Sequence, residues 1–298
     1  MPACTPVDRA MNDLPDPDAS AGIVDAHFHC WRLARGDYGW LTPALHPIHR
    51  DVTVADWEAV SRPRGVAGGV LVQAAPTEAE TDFLLAQAQA HASVLGVVGS
   101  IDWLAADAPR RVEALARRPR LVGLRPMLQD LSDPDWILQP ALAPVLEAMA
   151  ACGLAFDALV KPVHLARVRR LVDRHPGLRI VIDHGAKPDI AAGAWQPWAA
   201  DMAALARETE VFCKLSGLLT EAGPAPRPEA ARRWARHLLD CFGAERLVWS
   251  SDWPVLELAG SYAGWWGEVQ ALLDEAALAP AARAAVLGGN ARRLYRLG

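Results

Sequence analysis

The stretch Ile23-Val24-Asp25-Ala26-His27-Phe28-His29 ends a short apolar run in two histidines one residue apart. In an extended strand alternate side chains share a face, so Asp25, His27 and His29 are expected to project together, with Val24, Ala26 and Phe28 opposite. Two imidazoles on one face can meet one metal ion or one polarised substrate oxygen. A bare His-x-His also occurs as a hydrogen-bonded loop pair, so its context decides.

The rest of the chain supplies that context. Short β-rich apolar runs alternate with helical patterns, the sign of βα units around a parallel sheet covered on both faces. Eight such runs stand out, at about 22–26, 68–73, 95–100, 121–125, 154–159, 179–183, 211–215 and 247–250. A (β/α)8 barrel takes roughly 250 residues. The 298-residue chain is therefore expected to form one single-domain barrel over 21–298. Helix punctuation agrees: Asp107 precedes Pro109, Gly153 follows Leu142, Val145, Leu146 and Met149, and Gly243 follows Trp234, Leu238 and Phe242.

In such a barrel the residues just past the C-terminal end of each strand gather at one mouth, where the chemistry sits. Here they read His27 and His29, Gln73, Asp102, Arg125, Lys161, His184, Ser216 and Asp252. That concentration of titratable groups makes the His-x-His a functional candidate. The connection from Trp31 to about Arg64 is much longer than the others and carries Tyr38, Trp40, His46 and His49. Loops of this length are usually functional. Its rings either cover the site as a lid or pack the loop onto the barrel rim.

Composition narrows the partner. The formal net charge is -5 and the arginines are dispersed, which argues against a nucleic-acid or anionic-membrane surface and for a small molecule. Cys4, Cys30, Cys152, Cys213 and Cys241 are widely spaced and contain no Cys-x-x-Cys pair, so neither a disulfide framework nor a thiolate zinc site is indicated. Residues 1–20 lack an apolar signal core, and no later run reaches the length of a membrane span. A cytoplasmic enzyme with a loose tail over 1–20 is expected. The oligomeric state is left open.

Taken together, HFH at 27–29, GLRPMLQD at 123–130, IDHGAKP at 182–188, KLSGL at 214–218, SSDWP at 250–254 and NARRLY at 290–295 resemble the amidohydrolase superfamily. More narrowly, they resemble its branch of sugar-lactone hydrolases related to L-fuconolactonase and 2-pyrone-4,6-dicarboxylate lactonase. The resemblance covers about 22–297. It implies a (β/α)8 barrel that hydrolyses a small lactone, a sugar-acid lactone foremost, by water attack on the ring carbonyl.

It also places His27, His29, His184 and Asp252 at the family's central positions. Asp252 is the candidate general base, since a carboxylate at the mouth can take the proton of the attacking water and return it to the departing alkoxide. Arg125 carries a planar fork suited to orienting a carboxylate or polarised carbonyl. Gln73, Trp31, Tyr38, Trp40, Lys187 and Trp253 are expected around the substrate. Asp183 is read as an acid pointing away from the mouth, and Lys214 would need a partner if buried.

Strand five, FDALVKP, departs from the two-metal members because it offers no bridging Glu or carboxylated Lys. One divalent ion, zinc foremost, held by His27, His29, His184 and Asp252, is one arrangement. Catalysis without metal, the same histidines hydrogen-bonding the carbonyl, is the other. A pyrone-dicarboxylate lactonase, a metal-dependent decarboxylase and a non-catalytic sugar-acid binder are the rival functions.

Overall fold

Every apolar run forms a strand, within one or two residues of the expected bounds. The computed structural model describes residues 22–224 and 226–298, so the tail expected over 1–20 lies outside the described residues. Strands β1 (Ile23–Phe28), β2 (Val66–Val72), β3 (Val94–Gly99), β4 (Leu121–Leu124), β5 (Ala155–Ala158), β6 (Arg179–Ile182), β7 (Phe212–Leu215) and β8 (Leu247–Trp249) lie side by side in sequence order. Each neighbouring pair is parallel. Helices α1 (Val54–Ser61), α2 (Glu78–Ala90), α3 (Ala108–Ala116), α4 (Ala143–Cys152), α5 (Leu165–Arg174), α6 (Trp198–Glu208), α7 (Arg232–Arg246) and α8 (Tyr262–Glu275) follow the strands in turn. The chain ends in α9 (Pro280–Ala284), a π-turn and α10 (Asn290–Tyr295).

The ring closes between β1 and the turn after β8. There Asp252 donates its backbone N–H to the His27 carbonyl at 2.9 Å, and His29 donates to the Trp253 carbonyl at 2.8 Å. The fold is the (β/α)8 barrel that the strand count predicts. Gly153 caps α4 in the left-handed region, where a side chain would be strained. No helix among the described residues is long and apolar enough to cross a membrane.

Small β-branched residues, among them Val24, Val70, Val98, Val181 and Val248, form one buried cluster with Leu294 and Tyr295 of α10. The terminal NARRLY segment thus packs against the strands. The larger apolar side chains form a second cluster between strands and helices.

One expectation on β1 is corrected. Asp25 does not join His27 and His29 but turns to the helix layer, accepting from Trp57 Nε1 of α1 at 2.9 Å and from the Tyr262 hydroxyl of α8 at 3.0 Å. The register of β1 against β2 shifts between Asp25 and Phe28. Such an irregularity breaks strict alternation, so Val24, Ala26 and His27 share the inner side while Asp25 and Phe28 face out.

The long connection after β1 is fastened at several points. Trp31 and Val52 exchange backbone hydrogen bonds at 2.9 and 3.0 Å. Trp31 Nε1 donates to the Arg50 carbonyl at 2.8 Å and Trp40 Nε1 to the Ala74 carbonyl at 2.7 Å. The Tyr38 hydroxyl donates to the buried carboxylate of Glu80 at 2.8 Å.

Candidate active site

The site is built on strand ends whose backbone is unusual. His184, Lys187 and Asp252 all adopt positive φ, at 53°, 49° and 59°. Such backbone costs a non-glycine residue about 1–3 kcal/mol and recurs at functional sites. Gly217 of KLSGL leaves room for the first of these turns, because a Cβ there would stand 2.6 Å from His184 Cβ.

These turns aim three imidazoles at one carboxylate oxygen. Asp252 Oδ1 lies 3.3 Å from His29 Nε2, 3.7 Å from His27 Nε2 and 3.8 Å from His184 Nε2. The two β1 histidines approach each other at 3.2 Å through their Nε2 atoms. Each ring is held from behind: His29 Nδ1 donates to the Val72 carbonyl at 2.8 Å, and His184 Nδ1 shares a hydrogen bond with the Ser216 hydroxyl at 2.9 Å.

Beneath the imidazoles lies a charged layer of which the sequence reading named Arg125, Asp183 and Lys214 but missed Asp157 and Tyr295. Lys214, fully buried on β7, sits 2.5 Å from Asp157 Oδ2, 3.0 Å from Asp183 Oδ1 and 3.0 Å from His27 Nδ1. The Tyr295 hydroxyl donates to Asp157 at 2.7 Å. Arg125 Nη1 donates to Asp183 Oδ2 at 3.1 Å and stands 3.2 Å from His27 Nε2, while Nη2 donates to the Gln73 carbonyl. The signals for this layer were a lysine inside an apolar strand, the arginine that closes strand four and the acid beside His184. Asp157 and Tyr295 are 138 positions apart and gave none.

Burial and neighbours set the charge states. Burial, with the Lys214 ammonium beside it, pushes His27 well below the ordinary histidine value, and burial brings His184 down to about 4. Both rings are therefore neutral at pH 7. Burial would raise Asp252, but the surrounding imidazoles, His184 foremost, hold it well below the usual carboxylate range. The same contest at Asp183 is won by Lys214, His27 and Arg125, which keep it ionised. Asp157 goes the other way, because burial outweighs Lys214.

The remaining candidates are spread around this centre. Gln73 is buried, donates to the Arg125 carbonyl at 2.9 Å, and leaves Oε1 without a partner. Lys187 pairs with Glu221 at 2.8 Å. Trp253 is buried and donates to Glu257 at 2.7 Å. Trp31 is buried with its ring centroid 6.2 Å from that of His29, and Trp40 packs edge-on against it at 5.6 Å. Tyr38 lies farther out in the loop, at Glu80. Asp102 is exposed and is not among the groups that gather on Asp252.

The donor set suits one small cation. His27, His29 and Asp252 offer ligand atoms within 4.8 Å of one another, and so do His27, Asp183 and His184. Tetrahedral ligands at 2.0–2.1 Å from zinc stand about 3.4 Å apart. The 3.2, 3.3 and 3.7 Å separations among His27, His29 and Asp252 bracket that value.

Comparison with known proteins bears on the family of the chain. A family profile described as amidohydrolase matches residues 24–297. An L-fucono-1,5-lactonase from Burkholderia ambifaria is 46% identical over 277 residues, covering 92% of this chain and 95% of the relative. A second L-fucono-1,5-lactonase, from Burkholderia multivorans, is 34% identical, covering 92% and 96%. The crystal structure of an amidohydrolase from Burkholderia multivorans with bound zinc superposes with a TM-score of 0.87 at 33% identity, covering 93% of this chain and all of that one.

Proposed function

The chain belongs to the amidohydrolase family and is a lactone-hydrolysing enzyme; from that premise we propose that its substrate is an uncharged sugar-acid lactone of the L-fucono-1,5-lactone type and that Asp252 is the general base. The observation that carries the mechanism is the convergence of His27, His29 and His184 on Asp252 Oδ1 within 3.8 Å. Asp252, ionised at neutral pH, takes a proton from water as its oxygen bonds to the ring carbonyl carbon. The carbonyl oxygen gains charge and is met by imidazole N–H. As the ring C–O bond breaks, Asp252 returns the proton to the departing oxygen, giving an open hydroxy acid.

His27, His29 and Asp252, with His184 beside them, would hold the ion in a metal-loaded enzyme. A bound zinc would polarise the carbonyl and lower the pKa of water. Arg125 acts through Asp183 and His27, which it touches, and Gln73 Oε1 offers an acceptor to a substrate hydroxyl. A cytoplasmic location fits the dispersed cysteines, which contain no Cys-x-x-Cys pair.

Charge bookkeeping at the site favours the sugar lactone over a dicarboxylate. Arg125 is paired with Asp183, Lys214 with Asp157 and Asp183, and Lys187 with Glu221. A dianion would have to break these pairs, each partly or wholly desolvated. A pH-indicator screen of L-fucono-1,5-lactone, related sugar lactones and 2-pyrone-4,6-dicarboxylate tests the reading. Turnover of sugar lactones with the pyrone inert is expected. The reverse pattern, or release of carbon dioxide without ring opening, contradicts it.

A further inference from the structure

We propose that Lys214 is a positioning residue that keeps the ring proton of His27 on Nε2, so that His27 presents a hydrogen-bond donor at the mouth and must move that proton before it can join the other residues in holding a metal ion. This rests on the lactonase reading only for its meaning, because the proton can be located with no lactone present.

The assignment follows from two ends of a chain that cannot change role. An ammonium has three donors and no acceptor, and a peptide carbonyl has no donor. Lys214 Nζ, 3.0 Å from His27 Nδ1, must donate there, which leaves a neutral His27 with its proton on Nε2. At the other end His29 Nδ1 must donate to the Val72 carbonyl at 2.8 Å, which in the neutral ring leaves a lone pair on His29 Nε2. The two Nε2 atoms stand 3.2 Å apart, and the donor on His27 meets the acceptor on His29. Arg125 Nη1, 3.2 Å from His27 Nε2, then finds no lone pair and is satisfied by Asp183.

Metal-binding histidines more often pass their second N–H to a carboxylate or carbonyl, which frees the other nitrogen for the ion. At His29 that arrangement is in place. At His27 it is reversed, because a cation stands where the acceptor belongs. The alternative acceptor is nearby: Asp183 Oδ1 lies 3.7 Å from His27 Nδ1, buried and without a well-aligned hydrogen bond. Lys214 also reaches that oxygen at 3.0 Å. Lys214 and Asp183 thus compete for one ring nitrogen, and the winner decides whether His27 donates to a substrate oxygen or accepts an ion.

The test is long-range 1H–15N spectroscopy of chelator-treated, 15N-histidine-labelled protein, with the His27 signals identified by their loss in His27→Gln. The proton is expected on Nε2; a proton on Nδ1 in the ion-free protein overturns the proposal. The charge-balanced variant Lys214→Gln/Asp157→Asn offers His27 an amide acceptor. In it the proton should move to Nδ1 and zinc affinity should rise about tenfold or more, the scale on which such supporting partners act. An unchanged tautomer with unchanged zinc affinity in this variant also overturns the proposal. Should the variant not fold, the wild-type spectrum decides alone.

Discussion

Ser251 donates both its backbone N–H, at 2.9 Å, and its hydroxyl, at 2.7 Å, to the carboxylate of Asp25. The turn that carries Asp252 is thereby tied to the strand that carries His27 and His29. The closing bond from Asp252 N–H to the His27 carbonyl lies directly beside this tie. The geometry of the base relative to the imidazoles is thus set by backbone and buried polar contacts that no substrate need touch.

Asp25→Asn should loosen that frame. Asp25 Oδ2 accepts from Trp57, Ser251 and Tyr262, so an amide NH2 at either oxygen would face a donor and leave a buried group unpaired. A loss of roughly 1–3 kcal/mol in unfolding free energy is expected for each group left unpaired. Denaturant titration measures it, and turnover should fall even in the folded fraction. Wild-type stability and kcat would mean that Asp25 is a passive core acid.

Arg125→Lys keeps the charge but loses the fork that spans Asp183 and the Gln73 carbonyl. A lysine can hold one of these. The variant should fold, and kcat/KM should fall by tenfold or more as Asp183 and His27 lose their alignment. Steady-state kinetics with folding checked by circular dichroism measures this, and unchanged kcat/KM would make Arg125 a rim brace.

How much of this was legible beforehand differs between layers. Strand positions, the barrel and the set of strand-end residues that includes His27, His29, His184 and Asp252 follow from local pattern, because apolar runs and strand ends are sequence-local signals, whereas singling out those four rested on the family resemblance. The facing of Asp25 did not, since one register shift inverts parity without leaving a mark in composition. The layer of Lys214, Asp157 and Tyr295 joins three distant elements. Only closure of the barrel brings them together, so spacing in the sequence carries no trace of it. The rings of Trp31, Tyr38 and Trp40 were legible as a cluster, but their donors go to Arg50, Glu80 and Ala74, which sequence could not show.

Glu80 should give the long loop's attachment a pH dependence. Burial pushes its carboxyl from an ordinary 4.5 up to about 7, against the opposing pull of Tyr38, Ala74 and Arg35. A folded-state pKa above the unfolded value means that the native protein binds the extra proton. Stability from this group is therefore full below pH 4.5 and lost as pH rises through about 7. The loss is on the order of 3 kcal/mol. Unfolding free energies at pH 5 and pH 8 should differ less in Glu80→Gln than in wild type. An equal difference in both proteins would show that Glu80 is not the group responsible.

The central claim is that Asp252 is the base. Asp252→Asn is nearly isosteric, and its backbone N–H to His27 is retained. General-base assistance contributes about 10²–10⁴-fold. With spontaneous ring opening subtracted and metal content matched, hydrolysis of the best sugar lactone by the Asn variant should fall by that factor while the fold persists. Hydrolysis within a few-fold of wild type would contradict the account and leave Asp252 a structural turn residue.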